Sequence, residues 1–256
     1  MPEFDAPSTY DEAASDYERA SERYWAFLGG RTVQRLDLRR GDHVLDVPCG
    51  PGSSALPAAS AVGPGGSVVA VDLAPRMLEL ARAKATAAGL DNVRFLPGDM
   101  ARIDLPSEAF DAVICVLGIF FTPDMVAQAR ELWRLVRPGG RLAVTVFEHA
   151  FFSPMYDVWK EAVEKELGER VIGPWERTND RSTLGRILGD AGIEGVRIDV
   201  ENERIALPAP GAWWDIVMGT GMRKWVTELD PAAAERVRAH DLRWAAEHAV
   251  GSLTVG

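Results

Sequence analysis

Val44-Leu45-Asp46-Val47-Pro48-Cys49-Gly50-Pro51-Gly52 is the stretch that decides the fold. It is a short apolar run carrying one acid, and it breaks into a turn of glycines and prolines. A run that is apolar on both faces suits a strand buried in a parallel sheet. An acid at such a strand's carboxyl end, followed by a Gly-rich turn into a helix, marks the ligand end of an open α/β sheet. Glycine serves where backbone must approach a ligand closely.

Working outward, four more runs of this type appear. Ser67–Asp72 follows Gly63-Pro64-Gly65-Gly66, and residues 93–96, Phe110–Val116 and 141–147 complete five strand candidates. Helical patterns fill the gaps. Pro75 suits the first turn of a helix over 75–88, with Gly89 as its stop and an apolar face of Met77, Ala81, Ala85 and Ala88. Thr122-Pro123 reads as cap and first position of the next helix, which has Val126, Ala129, Trp133 and Val136 on one side. Pro138-Gly139-Gly140 is its stop. Strands alternating with helices imply right-handed βαβ units and a doubly wound sheet.

Past Phe147 the rhythm breaks. Residues 148–180 are aromatic-rich and irregular, 182–191 read as a helix and 196–207 as extended. Residues 209–250 read as helical, carry Trp213, Trp214, Trp225 and Trp244, and include a good helix start at Asp230-Pro231. Ser252–Val255 suits one last short strand.

Composition excludes several functions. The formal net charge is −10, and no basic cluster supplies the footprint that phosphate contacts require, so no nucleic-acid partner is expected. Cys49 and Cys115 lie outside C-x-x-C spacing and read as reduced thiols of a cytoplasmic protein. The acidic start, Met1-Pro2-Glu3-Phe4-Asp5, predicts no signal peptide. No apolar run approaches the roughly 20 residues of a membrane span.

Two cofactors compete for the turn. Gly50-Pro51-Gly52-Ser53-Ser54-Ala55 fits the dinucleotide pattern G-x-G-x-x-A. That pattern places a doubly anionic pyrophosphate at the helix start, and Asp46 would set like charge beside it. S-adenosylmethionine carries an ammonium and a sulfonium and no phosphate, so an acid there favours it. Asp72, 22 residues after Gly50, can accept from both ribose hydroxyls. In Leu96-Pro97-Gly98-Asp99-Met100, Asp99 can receive an adenine amino group and Met100 can pack on the ring.

With V-L-D-V-P-C-G-P-G (44–52), V-V-A-V-D-L-A-P-R-M-L (68–78), F-L-P-G-D-M (95–100), F-D-A-V-I-C (110–115) and L-V-R-P-G-G-R-L (135–142), the chain resembles a class I S-adenosylmethionine-dependent methyltransferase. It is most similar to the branch of ubiquinone/menaquinone-biosynthesis and small-metabolite enzymes. The resemblance spans roughly residues 40–147. It implies an α/β fold with a doubly wound, mostly parallel seven-stranded sheet and helical lid insertions. One domain over 1–256 is expected, with a helical lid at 1–30, a cofactor-binding core at 31–147 and acceptor-pocket insertions at 148–180 and 208–250.

The resemblance implies that Gly50 and Gly52 approach the methionine moiety, Asp72 the ribose, and Asp99 and Met100 the adenine, with Val116 and Leu117 facing the cofactor. The expected cofactor set is completed by Asp46, Pro48, Cys49, Leu73, Met77 and Gly98, with Tyr17 and Trp25 from the N-terminal stretch. Pro48 departs from the family, which usually has a glycine there. Proline fixes φ and removes a donor. Cys49 reads as a packed thiol rather than a nucleophile, and Asp111 as structural.

Methyl transfer is an in-line displacement that alignment and water exclusion can drive, so no acid–base pair is obligatory. His149, just past the fifth strand candidate, is the one candidate base. Phe120, Phe121, Phe151, Phe152, Trp175, Trp213 and Trp214 are the expected pocket for a small-molecule acceptor, methylated at O, N or C. Glu148-His149 alone is no metal site, and no metal is expected. The alternatives are an NAD(P)-dependent oxidoreductase and a non-catalytic S-adenosylmethionine-binding module. The assembly is expected to be a monomer or homodimer.

Overall fold

The apolar run 43–46 pairs with a strand on each side. The computed structural model describes residues 4–178 and 180–255, with the side chains of 18–23 outside the described set. In chain order the elements are α1 (Ala6–Leu36), β1 (His43–Asp46), α2 (Ala55–Val62), β2 (Ser67–Asp72), α3 (Pro75–Ala87), β3 (Val93–Pro97), β4 (Phe110–Val116), α4 (Met125–Leu135) and β5 (Val136–Thr145). They continue with α5 (Met155–Leu167), α6 (Arg181–Asp190), β6 (Glu203–Ala206), α7 (Gly211–Met218), α8 (Arg223–Glu228), α9 (Pro231–Glu247) and β7 (Ser252–Val255). Two 3-10 turns lie at Ile119–Phe121 and Pro174–Arg177.

The chain forms two compact units. One holds residues 25–146 and 181–198. Its five strands are all parallel, in the order β3-β2-β1-β4-β5. Side chains alternate between the two faces of the sheet. Val44, Val68, Ala70, Ala112 and Ile114 pack with α2, α3 and the end of α1. Leu45, Val47, Val71, Val113 and Cys115 pack with α4 and α6. Both faces are covered, which is why these strands read as apolar throughout. The strand order reverses between β1 and β4, and their carboxyl ends flank the switch point where open α/β sheets bind ligands.

The other unit holds residues up to 24, 147–180 and 199 onward. In it α5 packs on α9, and β6 pairs antiparallel with β7. The expected seven strands therefore divide into a five-stranded parallel sheet and a separate two-stranded antiparallel pair. The stretch 196–207 carries Arg197, Asp199, Glu201, Glu203 and Arg204. It cannot fill a strand covered on both faces, and only its last residues pair.

Three local readings are corrected. The cap of α4 is Asp124, whose Oδ1 accepts from the Ala127 N–H at 2.9 Å. Thr122 is buried and its hydroxyl donates to the Ile119 carbonyl at 2.8 Å. The buried face of α4 is Gln128, Ala129, Leu132 and Leu135, and Trp133 is turned outward. Pro138-Gly139-Gly140 lies within β5 as an irregularity opposite Phe110 and Ala112, not as a turn outside the strand. A Cβ at Gly140 would sit 2.8 Å from the Asp111 carbonyl oxygen, so only glycine fits that crossing.

Candidate active site

Asp46 ends β1 and is completely buried. Its Oδ2 accepts the Ser54 hydroxyl at 2.7 Å, and its Oδ1 has no hydrogen-bond partner among the described residues. Ser54 sits at the N-cap of α2 but makes no side-chain cap, because its hydroxyl is committed to Asp46. Burial pushes the Asp46 carboxyl up to about 7; Ser54 opposes the shift and the nearby Asp72 charge adds to it.

Asp72 ends the neighbouring strand β2. Its Oδ2 accepts the Gly50 N–H at 2.7 Å and its Oδ1 the Ala74 N–H at 2.9 Å. Burial raises this carboxyl too, against the Ala74, Gly50 and Leu73 backbone bonds. Each carboxylate oxygen can accept more than one bond, so Asp72 keeps capacity for ribose hydroxyls while it ties down the turn.

From Val47 to Gly52, every backbone N–H of the turn between these acids is already used. Val47 N–H donates to the Ile114 carbonyl, Cys49 N–H to Val71 and Gly52 N–H to Cys49, at 2.9, 2.9 and 3.0 Å. Gly50 N–H is taken by Asp72. Pro48 and Pro51 have no N–H. A pyrophosphate-binding turn works by pointing free N–H groups at its ligand, and residues 47–52 keep none for that purpose. Two carboxyl groups beside a turn whose N–H groups from residue 47 to 52 are used suit a cationic ligand without phosphate. The residues present therefore fit S-adenosylmethionine and not a dinucleotide.

Glycines at 50 and 52 have φ of +51° and +91°, which side chains resist. Cys49 is buried; burial and then the charges of Asp72 and Asp46 push its thiol well up, so it stays protonated and is no nucleophile. Beyond β3, the Gly98 N–H donates to the Asp72 carbonyl, and the Asp99 Oδ1 accepts from Ala101 N–H at 2.8 Å. Met100 is buried, and its carbonyl accepts the side-chain amide of buried Gln128 at 2.8 Å. Met77 is buried and Leu73 exposed. Past β4, Val116 and Leu117 are half-buried, Leu117 has φ of +53°, and Phe120 and Phe121 form an edge-on pair 4.8 Å apart. Trp25 is buried in the same unit.

The other unit holds the remaining expected residues. Phe151, Phe152, Trp175 and Trp213 are buried in an aromatic cluster with Tyr156 and Trp225. Trp214 is half-buried, and Tyr17 lies 6.1 Å from the Tyr10 ring. His149 is exposed, and its backbone N–H donates to Glu148. Trp213 donates its indole N–H to buried Asp241 at 2.9 Å. Among the described residues no group of three metal-ligating side chains comes together, and no helix is long and apolar enough to cross a membrane.

Sequence reasoning missed Ser54 and Gln128. Ser54 was legible only as a helix cap. Gln128 lies on a helix whose polar residues face outward by default, and nothing in the spacing announces the carbonyl beneath it.

Residues 44–140 match the model of a methyltransferase-domain family. The aklanonic acid methyltransferase DauC of Streptomyces sp. (strain C5) is 32% identical over 168 residues, 65% of this chain and 76% of that protein. Nocamycin O-methyltransferase of Saccharothrix syringae is 36% identical over 136 residues, 53% of this chain and 49% of that protein. The chain thus spans three quarters of the first relative and about half of the second. The crystal structure of a SAM-dependent methyltransferase from Aquifex aeolicus shares the fold, with a TM-score of 0.53 at 23% identity over 75% of this chain and 92% of that one. With its acid-flanked turn at the switch point of a parallel sheet, the chain belongs to the class I S-adenosylmethionine-dependent methyltransferases.

Proposed function

We propose that this protein methylates a small-molecule acceptor at O, N or C. When bound, the cofactor supplies an electrophilic methyl group on a sulfonium. Asp46 and the turn 48–52 hold its methionine end, Asp72 its ribose, and Asp99 with Met100 its adenine. The observation that carries the reading is the pair of buried or half-buried acids around a turn whose backbone N–H groups from residue 47 to 52 are all used. It disfavours the oxidoreductase alternative on electrostatic grounds. The names of two relatives, an aklanonic acid methyltransferase and a nocamycin O-methyltransferase, support the acceptor class.

The chain's own contribution is alignment and exclusion of water, which together can supply a large part of such a barrier. Phe120 and Phe121, just past β4, supply apolar surface suited to a flat acceptor. His149 is the side chain to remove a proton where the acceptor is a hydroxyl or amine. Two buried free thiols, Cys49 and Cys115, support a reducing, cytoplasmic setting.

The test is incubation with S-adenosylmethionine and a library of phenolic, carboxylic and amine metabolites, read as S-adenosylhomocysteine release. Acceptor-dependent release that falls on His149→Ala supports both transfer and base. Tight cofactor binding with no release from any acceptor would favour the non-catalytic module.

A further inference from the structure

Gly118 has φ −115° and ψ −36°, a conformation open to any residue. Its lack of a side chain therefore needs another reason. A Cβ built there would lie 2.1 Å from Cδ and 2.5 Å from Cγ of Pro48, and 3.3 Å from the Cys115 sulfur. Real Cβ atoms essentially never approach closer than 3.0 Å. The obstructing atoms belong to a ring closed onto its own backbone, which cannot rotate away as a flexible side chain would.

Nor can either loop step back easily. On each side of Pro48, Val47 N–H is bound to Ile114 and Cys49 N–H to Val71, both at 2.9 Å. On each side of Gly118, Leu117 N–H is bound to Thr145 at 2.9 Å, and the Gly118 carbonyl accepts from Phe121 N–H at 3.0 Å. Leu117, at φ +53°, is in a conformation that non-glycine residues hold only when their surroundings enforce it.

We infer that Pro48 and Gly118 are a fitted pair that sets the loop after β4 against the turn after β1. Pro48 has no N–H with which to bond across this gap, and its ring makes the contact instead. Both are positioning residues. Through them the turn carrying Gly50 and the segment carrying Leu117 to Phe121 keep one relative placement. This inference rests on the cofactor reading above, which gives the turn to the cofactor's methionine end and has Leu117 face the cofactor.

The test compares the wild type with Gly118→Ala, Pro48→Ala and the double variant. Each is titrated calorimetrically with S-adenosylhomocysteine and melted with and without it. Gly118→Ala is expected to lose affinity by about tenfold, and the double variant to return to within about twofold of Pro48→Ala alone. Should Gly118→Ala fail to fold, recovery of a cooperative melt in the double variant is the equivalent result. Gly118→Ala binding like the wild type, or a double variant no better than Gly118→Ala, overturns the pairing. A wild type that ignores S-adenosylhomocysteine overturns the cofactor reading and with it the positioning role; rescue of melting in the double variant then shows only the steric fit.

Discussion

Asp46 is a carboxyl group held out of water, with one oxygen on the Ser54 hydroxyl and the other without a hydrogen-bond partner among the described residues. Such a group is costly unless a partner arrives, and the partner that best offsets the cost is a cation. Burial holds its pKa at about 7, so the ligand-free protein keeps the proton below that pH. A cationic ammonium favours the ionised form. Affinity for S-adenosylhomocysteine is therefore expected to be level above about pH 7 and to fall below it, approaching tenfold per pH unit. Asp46→Asn should weaken binding and flatten the profile. Calorimetric titrations across pH check this, and an affinity that rises on acidification contradicts it. Asp72→Ala is expected to weaken cofactor binding by about 1–3 kcal/mol, the scale of hydrogen bonds to a charged acceptor. It also frees the Gly50 N–H. Unchanged affinity in a folded variant would remove Asp72 from the ribose. Both acids were legible from their places at strand ends. Ser54 and Gln128 were not: Ser54 reads as a helix cap until the turn folds its hydroxyl onto Asp46, and Gln128 bonds a carbonyl 28 residues away that spacing does not encode.

At the scale of elements, periodicity was informative wherever an element is buried on a predictable face. The five parallel strands and the final strand at Ser252–Val255 were all anticipated, as was α9 with its Asp230-Pro231 start. The start of α4 was not. Thr122 and Asp124 are both good capping residues, and burial of Thr122 against Ile119 decides between them. Asp124→Ala is accordingly expected to cost about 1 kcal/mol, measured as a lower midpoint in urea with an unchanged slope. A loss-free substitution would place the cap elsewhere. The pairing of β6 with β7 was illegible for a different reason. An antiparallel pair half exposed to solvent gives a weak alternating signal, and nothing in 196–207 names its partner 50 residues on.

At the scale of the molecule, the sequence distinguishes a cofactor-binding sheet from the aromatic-rich segments that follow it, and the structure places most of those segments in a unit of their own. Motifs made the first part readable because cofactor chemistry constrains residue types at set spacings. Acceptor recognition imposes no such pattern: apolar rings that bind a metabolite and apolar rings that fill a core look alike in sequence. Phe151, Phe152, Trp175 and Trp213 are buried against one another, which is a packing role whatever else they do. The central claim is that two acids and a turn whose N–H groups from residue 47 to 52 are used select a cationic, phosphate-free cofactor. The most direct measurement is calorimetric titration of the purified protein with S-adenosylmethionine, S-adenosylhomocysteine and NADH in parallel. Saturable binding of the first two with no heat from NADH is the result expected; binding of NADH with neither of the others would contradict it.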